Sequence, residues 1–251
     1  MSGHSKFANI KHKKEKNDAA KAKVFTRLSK EIAMAVKEGG SADPNANSKL
    51  RDAIAKAKAN NIPNDNIERT IKKASGSQGE SFEEITYEGY GPAGVALIVE
   101  TATDNRNRTA GNVRSYFSKY HGNMGTTGSV SFMFEEKGLI VINDQEDEEV
   151  DEDELMMAAL DAGASDFAGE DHIYEIYTEK EDVLAVADAL KNAGYKIDSA
   201  DRAMIPSTTV SIDDEETAKF MNLLIERLEE DEDVMNVWHN WENPDQFEQD
   251  A

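Results

Sequence analysis

The chain is 251 residues long, contains no cysteine and carries a formal net charge of −22. Its length implies two or three compact units, each with a modest core, and the missing cysteines exclude disulfides and thiolate metal sites. No apolar run approaches the roughly 18 residues that a membrane-spanning helix needs; the richest, GVALIV at 94–99, is the size of a strand.

The charge is divided along the chain. Residues 1–75 hold 17 Lys plus Arg against 8 Asp plus Glu, a net of +9, whereas residues 76–251 hold 11 against 42, a net of −31. Screening sets in over about 8 Å at physiological salt and a twenty-residue helix spans about 30 Å, so the acidic body does not cancel the basic end. The lead is the extreme case: MSGHSKFANIKHKK followed by EKNDAAKAK places seven lysines in the first 23 positions. Stored ahead of any apolar run, they read as a contact for polyanion, with a solvated tail lacking a partner as the plain alternative. The lead has neither the apolar stretch of a secretory signal nor the Arg and Ser of a transit peptide, so a cytoplasmic protein is expected.

Phe25, Leu28, Ile32 and Val36 recur at spacings of three and four, which predicts a helix from about Asp18 to Glu38, stopped by Gly39-Gly40. Asp43 as N-cap with Pro44 in the first turn predicts a second helix, carrying Leu50, Ala53, Ile54 and Ala57 and ending near Asn60-Asn61. Its Lys49 and Lys56 fall on one flank of the apolar stripe and Arg51 and Lys58 on the other, where snorkelling is the plain reading. Asp65 and Glu68 form the pattern of a capping box for a third helix through Ile67, Ile71 and Ala74, stopped by Gly76.

After the linker SGSQGES at 75–81 the periodicity changes. Strands are expected at 94–101, 129–134, 138–143, 165–168, 172–177, 196–205, 207–212 and 234–241, and helices at 105–121, 151–162, 180–193 and 214–230. This order contains two βαββαβ sets. The expected fold class is α+β: an N-terminal three-helix bundle followed by two ferredoxin-like domains, one inserted in the other. The expected boundaries are 1–76 for the basic helical domain, 82–135 plus 206–242 for the split domain, and 136–205 for the inserted one.

The loop TDNRNRT at 103–109 offers Asn105, Arg106, Asn107, Arg108 and Thr109 at a helix start. Two readings stand side by side: the helix N-terminus and arginine forks hold an anion, or Asp104 and Asn105 cap the helix while Arg106 or Arg108 pairs with carboxylates. The stretch DQEDEEVDEDE at 144–154 has nine carboxylates in eleven positions, but it lacks the spacing and turn glycine of an EF-hand and reads as a solvated loop entering a helix. His4, His12, His121, His172 and His239 show no metal spacing, and Gly122, Gly125 and Gly128 look like turn punctuation. No nucleophile elbow, P-loop or dinucleotide fingerprint is present.

GHSKFANIKHKK at 3–14, NIPNDNIERTIKKASG at 61–76, YEGYGPAGVALIVETATDNRNRT at 87–109 and GSVSFMFEEKG at 128–138 together resemble the YebC/PmpR family, which includes the mitochondrial translational activator of cytochrome oxidase. The resemblance covers essentially the whole chain. It implies a helical N-terminal domain and two α/β domains, with no established catalytic activity, and no cofactor is expected. It also implies a role either in DNA-binding transcription regulation or in ribosome-associated translation of difficult sequences. The family usually has tryptophan where this chain has Phe7, and commonly lysine where it has Asn64. Because the motif begins at Met1, a bacterial member without a presequence is expected.

The expected function is therefore non-enzymatic nucleic-acid binding, to DNA or rRNA, with the ribosome as a further partner. The expected phosphate contacts are Lys6, Lys11, His12, Lys13, Lys14, Lys16, Lys21, Lys23 and Arg27, with Lys72 and Lys73 on the third helix and Arg106 and Arg108 as a second site. A flexible basic lead suits shaped RNA, and no helix-turn-helix pattern stands out, so the residues lean towards RNA while the family's customary label leans towards DNA.

Overall fold

A computed structural model describes residues 18–60, 62–76, 81–144, 150–170 and 172–247. The chain divides into two compact units, residues 1–79 with 136–204 and residues 80–135 with 205–251.

The first unit opens with three helices, α1 (Asp18–Glu38), α2 (Ser48–Ala59) and α3 (Asn64–Ser75). Leu28, Ile32, Val36, Leu50, Ala57 and Ile67 close its core, the stripes that the heptad-like spacing predicts. The start of α2 differs from expectation. Asp43 accepts the Asn45 N–H at 2.9 Å and closes a turn, and the cap is Asn47, whose Oδ1 accepts from Leu50 N at 3.1 Å. Asn47 is buried and also donates to the carbonyls of Ala35 and Ser41, each at 2.8 Å, tying the end of α1 to the start of α2. A side chain at Gly39 would collide with Asn47, so glycine there is a packing requirement. The start of α3 also shifts: Pro63 is its N-cap, no side chain caps it, and Asp65 sits inside the first turn.

The same unit holds most of β4 (Phe134–Asn143), α5 (Glu152–Ala162), β5 (Asp166–Glu170), β6 (Ile173–Thr178), α6 (Val183–Asn192) and most of β7 (Ser199–Pro206). The sheet order is β5-β6-β4-β7, and Ile176 is opposite Ile140 on one side and Phe167 on the other, both pairings antiparallel. Leu155, Ala159, Val186 and Leu190 pack from α5 and α6 onto Ile140, Ile142 and Ile176. Gly163 ends α5 in the left-handed region at φ 107°, which a Cβ would strain.

In the second unit, β1 (Glu83–Tyr90), β2 (Ala96–Thr103), β3 (Asn123–Met124) and β8 (Val234–His239) form an antiparallel sheet in the order β3-β1-β2-β8. Val95, Leu97 and Val99 meet Val113 and Phe117 of α4 (Arg106–Lys119) and Leu224 and Leu228 of α7 (Glu215–Glu230). The architecture is thus the expected helical lead followed by two antiparallel sheets with helices, but two strands move. The positions 129–134 form a 3-10 turn at Ser131–Met133 that runs into β4, and 207–212 contributes one parallel bridge, Val210 to Trp241. The place beside β2 is taken by β1, which pairs with it along all eight residues, Glu83 to Tyr90.

Candidate nucleic-acid interface

Of the expected phosphate contacts, Lys6, Lys11, His12, Lys13, Lys14 and Lys16 lie outside the described residues, as do the side chains of Lys21 and Lys23 on α1. Arg27 is placed differently from expectation. Its side chain is 14% exposed and faces Asp201 at 3.8 Å and Glu31 at 4.0 Å. Lys56, read from sequence as a snorkelling flank charge, joins the same cluster at 2.9 Å from Asp201 and 2.7 Å from Glu31, with 17% exposure. The physical reason is β7, which brings a carboxylate to these two cations from far along the chain.

Lys72 and Lys73 occupy the last turn of α3 and are exposed, and Arg69 lies one turn before them on the same helix. On α2, Arg51 and Lys58 are exposed and seven residues apart, so they share a face. Cations in a last turn also complement the helix dipole. These side chains, with exposed Lys37 of α1 and Lys49 of α2, give the described part of the bundle its basic surface. The first turns of α3 carry exposed Asp65 and Glu68 instead.

At the expected second site both arginines are paired with carboxylates. Asn105 caps α4 by accepting from Arg108 N at 3.1 Å, Arg106 meets Glu83 at 3.4 Å, and Arg108 Nη2 donates to Asp233 at 2.7 Å and Asp104 at 2.8 Å. The hydrogen bond to Asp233, then that to Asp104, raises the pKa of the Arg108 guanidinium above its ordinary value. Asp233 is buried, and its Oδ2 also lies 2.8 Å from the Thr109 hydroxyl and 3.2 Å from that of Thr103. The motif TDNRNRT therefore surrounds a buried carboxylate, a role its sequence did not reveal because Asp233 enters from the other end of the unit.

A second buried carboxylate organises the motif GSVSF. Glu88 on β1 accepts N–H bonds from Gly128 at 2.7 Å and from Val130 and Ser131 at 2.8 Å each. Burial pushes its pKa up, but the backbone donors outweigh burial and hold it below the usual carboxylate range. These N–H groups point at Glu88, so the loop is no cradle for external phosphate. The turn leaves Phe132 at 73% exposure.

Within the acidic stretch, residues 145–149 lie outside the described set. Asp144 is buried against the N–H of Val150 at 3.0 Å, the Tyr174 hydroxyl at 3.3 Å and His172 Nδ1 at 2.9 Å. Asp151 caps α5 through Glu154 N, with Glu152, Asp153 and Glu154 in the first turn, where the helix dipole favours them. A cavity of about 790 Å³ beside them is lined by Asp151, Glu152, Asp153, Glu170, His172 and Tyr174, with Val150. Among the described residues, no group of three or more His, Asp or Glu is arranged to hold a metal ion, and no helix is long and apolar enough to cross a membrane.

Comparison with known proteins places these features in a family. Residues 5–77 match the TACO1/YebC protein N-terminal domain, and residues 82–241 match the TACO1/YebC second and third domain. A "Probable transcriptional regulatory protein" of Lachnoclostridium phytofermentans is 57% identical over 243 residues, covering 96% of this chain and 100% of that protein. One of the same name from Clostridium botulinum is 55% identical over 251 residues, covering 99% of this chain and 100% of its own length. The crystal structure of a conserved hypothetical protein from Aquifex aeolicus is 43% identical with a TM-score of 0.78, over 90% of this chain and 91% of that one.

Proposed function

Because the chain belongs to the TACO1/YebC family, we propose that it is a non-enzymatic regulator of gene expression that grips nucleic acid through its basic N-terminal domain. The observation that carries this reading is the concentration of cation there, +9 over residues 1–75 against −31 over the rest. The contacts are Lys6, Lys11, His12, Lys13, Lys14 and Lys16 of the lead, Lys21 and Lys23 of α1, and Lys72 and Lys73 of α3. Their work is phosphate neutralisation, which positions the protein and carries no sequence information. The name shared by the relatives supports a role in transcription regulation. The acidic α/β part repels phosphate and leaves the basic end as the one handle.

One observation favours a second reading, a translation factor on rRNA. A helix that reads base edges in the major groove places its N-terminal residues there. On α3 the first turn carries Asp65, Glu68 follows, and the cations lie in the second half, Arg69 at its middle and Lys72 and Lys73 in the last turn. That arrangement suits a surface that follows shaped RNA.

Sedimenting the purified protein with ribosomes, and in parallel titrating it onto duplex DNA at physiological salt, separates the two. Co-migration with ribosomes alongside weak, sequence-blind duplex binding supports translation; tight duplex binding with base preference supports transcription. Indifference to both polymers in dilute buffer, where such attraction is strongest, overturns the reading.

A further inference from the structure

We propose that Arg27 and Lys56 form a cryptic site for backbone phosphate, occupied in this structure by the protein's own Asp201. The inference rests on the reading of the N-terminal domain as a phosphate-binding unit and adds a site and its control.

The geometry is that of anion recognition. Two cations from different helices, Arg27 of α1 and Lys56 of α2, converge on one oxygen, Asp201 Oδ2, at 3.8 and 2.9 Å. A carboxylate oxygen held by Lys56, with the Arg27 guanidinium within ion-pair range, offers the chemistry that a phosphate oxygen would offer in the same place. Glu31 lies 4.0 Å from Arg27 and 2.7 Å from Lys56, so two carboxylates face the two cations. Removing the Asp201 carboxylate makes the charge around the two cations more positive by one. The four side chains are 14 to 20% exposed, a setting in which charges interact more strongly than in open water.

Asp201 is held there by folding and not by the local chain. It lies on β7, whereas its cations lie on helices that precede the whole of β1 to β6 in sequence. A nucleic acid held by the basic domain raises the local concentration of phosphate around that domain. A phosphodiester carries full charge on every residue and competes for the same pair of cations. Binding then exchanges an internal anion for an external one, and Asp201 acts as a threshold: weak or isolated anions do not displace it, while a polymer with many charges does. The exchange is non-covalent and needs no co-reactant.

The test is the salt dependence of binding by the full chain to a polyuridine oligonucleotide and to a DNA duplex, for wild type, Asp201→Asn and Asp188→Asn. Asp188 is an exposed carboxylate on α6 in the same unit, so its variant carries the same charge change without touching the cluster. Asp201→Asn should tighten binding several-fold and steepen the slope of log affinity against log salt by about one, while Asp188→Asn tracks wild type. The arm that responds, single strand or duplex, identifies the polymer. Wild type that binds, with the two variants indistinguishable, overturns the cryptic site and leaves the proposed function standing. No binding by any of the three overturns both. Should Asp201→Asn lose its cooperative melt, hydrogen exchange on wild type decides. Amides of Ser199–Pro206 that exchange faster with oligonucleotide present support displacement of Asp201, and unchanged exchange refutes it.

Discussion

The carboxylate of Glu88 and the backbone N–H of Val130 meet at 2.8 Å inside the second unit, so a strand residue fixes a loop forty positions away in the chain. Glu88 also takes the N–H groups of Gly128 and Ser131. Replacing it by alanine orphans all three donors, and a loss of about 3 kcal/mol is expected from chemical denaturation.

The same residue makes stability depend on pH. The folded state holds the Glu88 carboxyl below its ordinary pKa, so the unfolded state binds its proton more readily. The stabilisation is fully present above the unfolded value of about 4.3 and declines as pH falls through the folded value. Glu88→Gln should be less stable than wild type at neutral pH, and the gap between the two should narrow as acid is added. A gap that is constant with pH would refute the assignment.

Thr109 supplies a hydroxyl to the buried Asp233 at 2.8 Å. Thr109→Val keeps the shape and removes the donor, so it should cost about 1–2 kcal/mol in urea unfolding. Arg108→Ala should lower the melting temperature while leaving the salt slope of nucleic-acid binding unchanged, because its guanidinium already serves Asp104 and Asp233. A shallower slope would restore it as a phosphate contact.

On α3, Lys72→Ala with Lys73→Ala should flatten that slope by up to about two on duplex DNA. Truncating Lys11, Lys13 and Lys14 together should flatten it further. Equal slopes for wild type and both variants would remove the basic domain from the interface.

Gly39→Ala forces Asn47 from its place between the carbonyls of Ala35 and Ser41. The expected cost is about 1–3 kcal/mol, and Asn47→Ala should destabilise by a comparable amount through loss of the cap and of both tertiary bonds. Hydrogen exchange at the start of α2 would report either one.

The helices were legible because their apolar residues repeat at helical spacing and α1 ends at Gly39-Gly40, so α1 runs over the residues its pattern predicts. The β1 strand was hidden because EEITYEGY places charge on both faces, and its Glu88 is a buried polar residue that period-two patterning counts as solvent-facing. Asp43-Pro44 imitates a helix start, and only the Asn45 contact shows it to be a turn. At the candidate interface, the excess of lysine could be read directly. Which cations are committed could not, because the partners of Arg27 and Arg108, Asp201 and Asp233, arrive from distant strands and leave no local signal.

The pairing of β2 with β8 has a consequence for biosynthesis. When β2 has left the ribosome, the strand that covers its outer edge, Val234–His239, is still well over a hundred codons away. Residues 136–204 can complete their own sheet during that interval. The hairpin of β1 and β2 must wait with Leu97 and Val99 on an unpaired edge, open to non-native strand partners. Until β8 arrives, that open edge is the exposed seam of the unit.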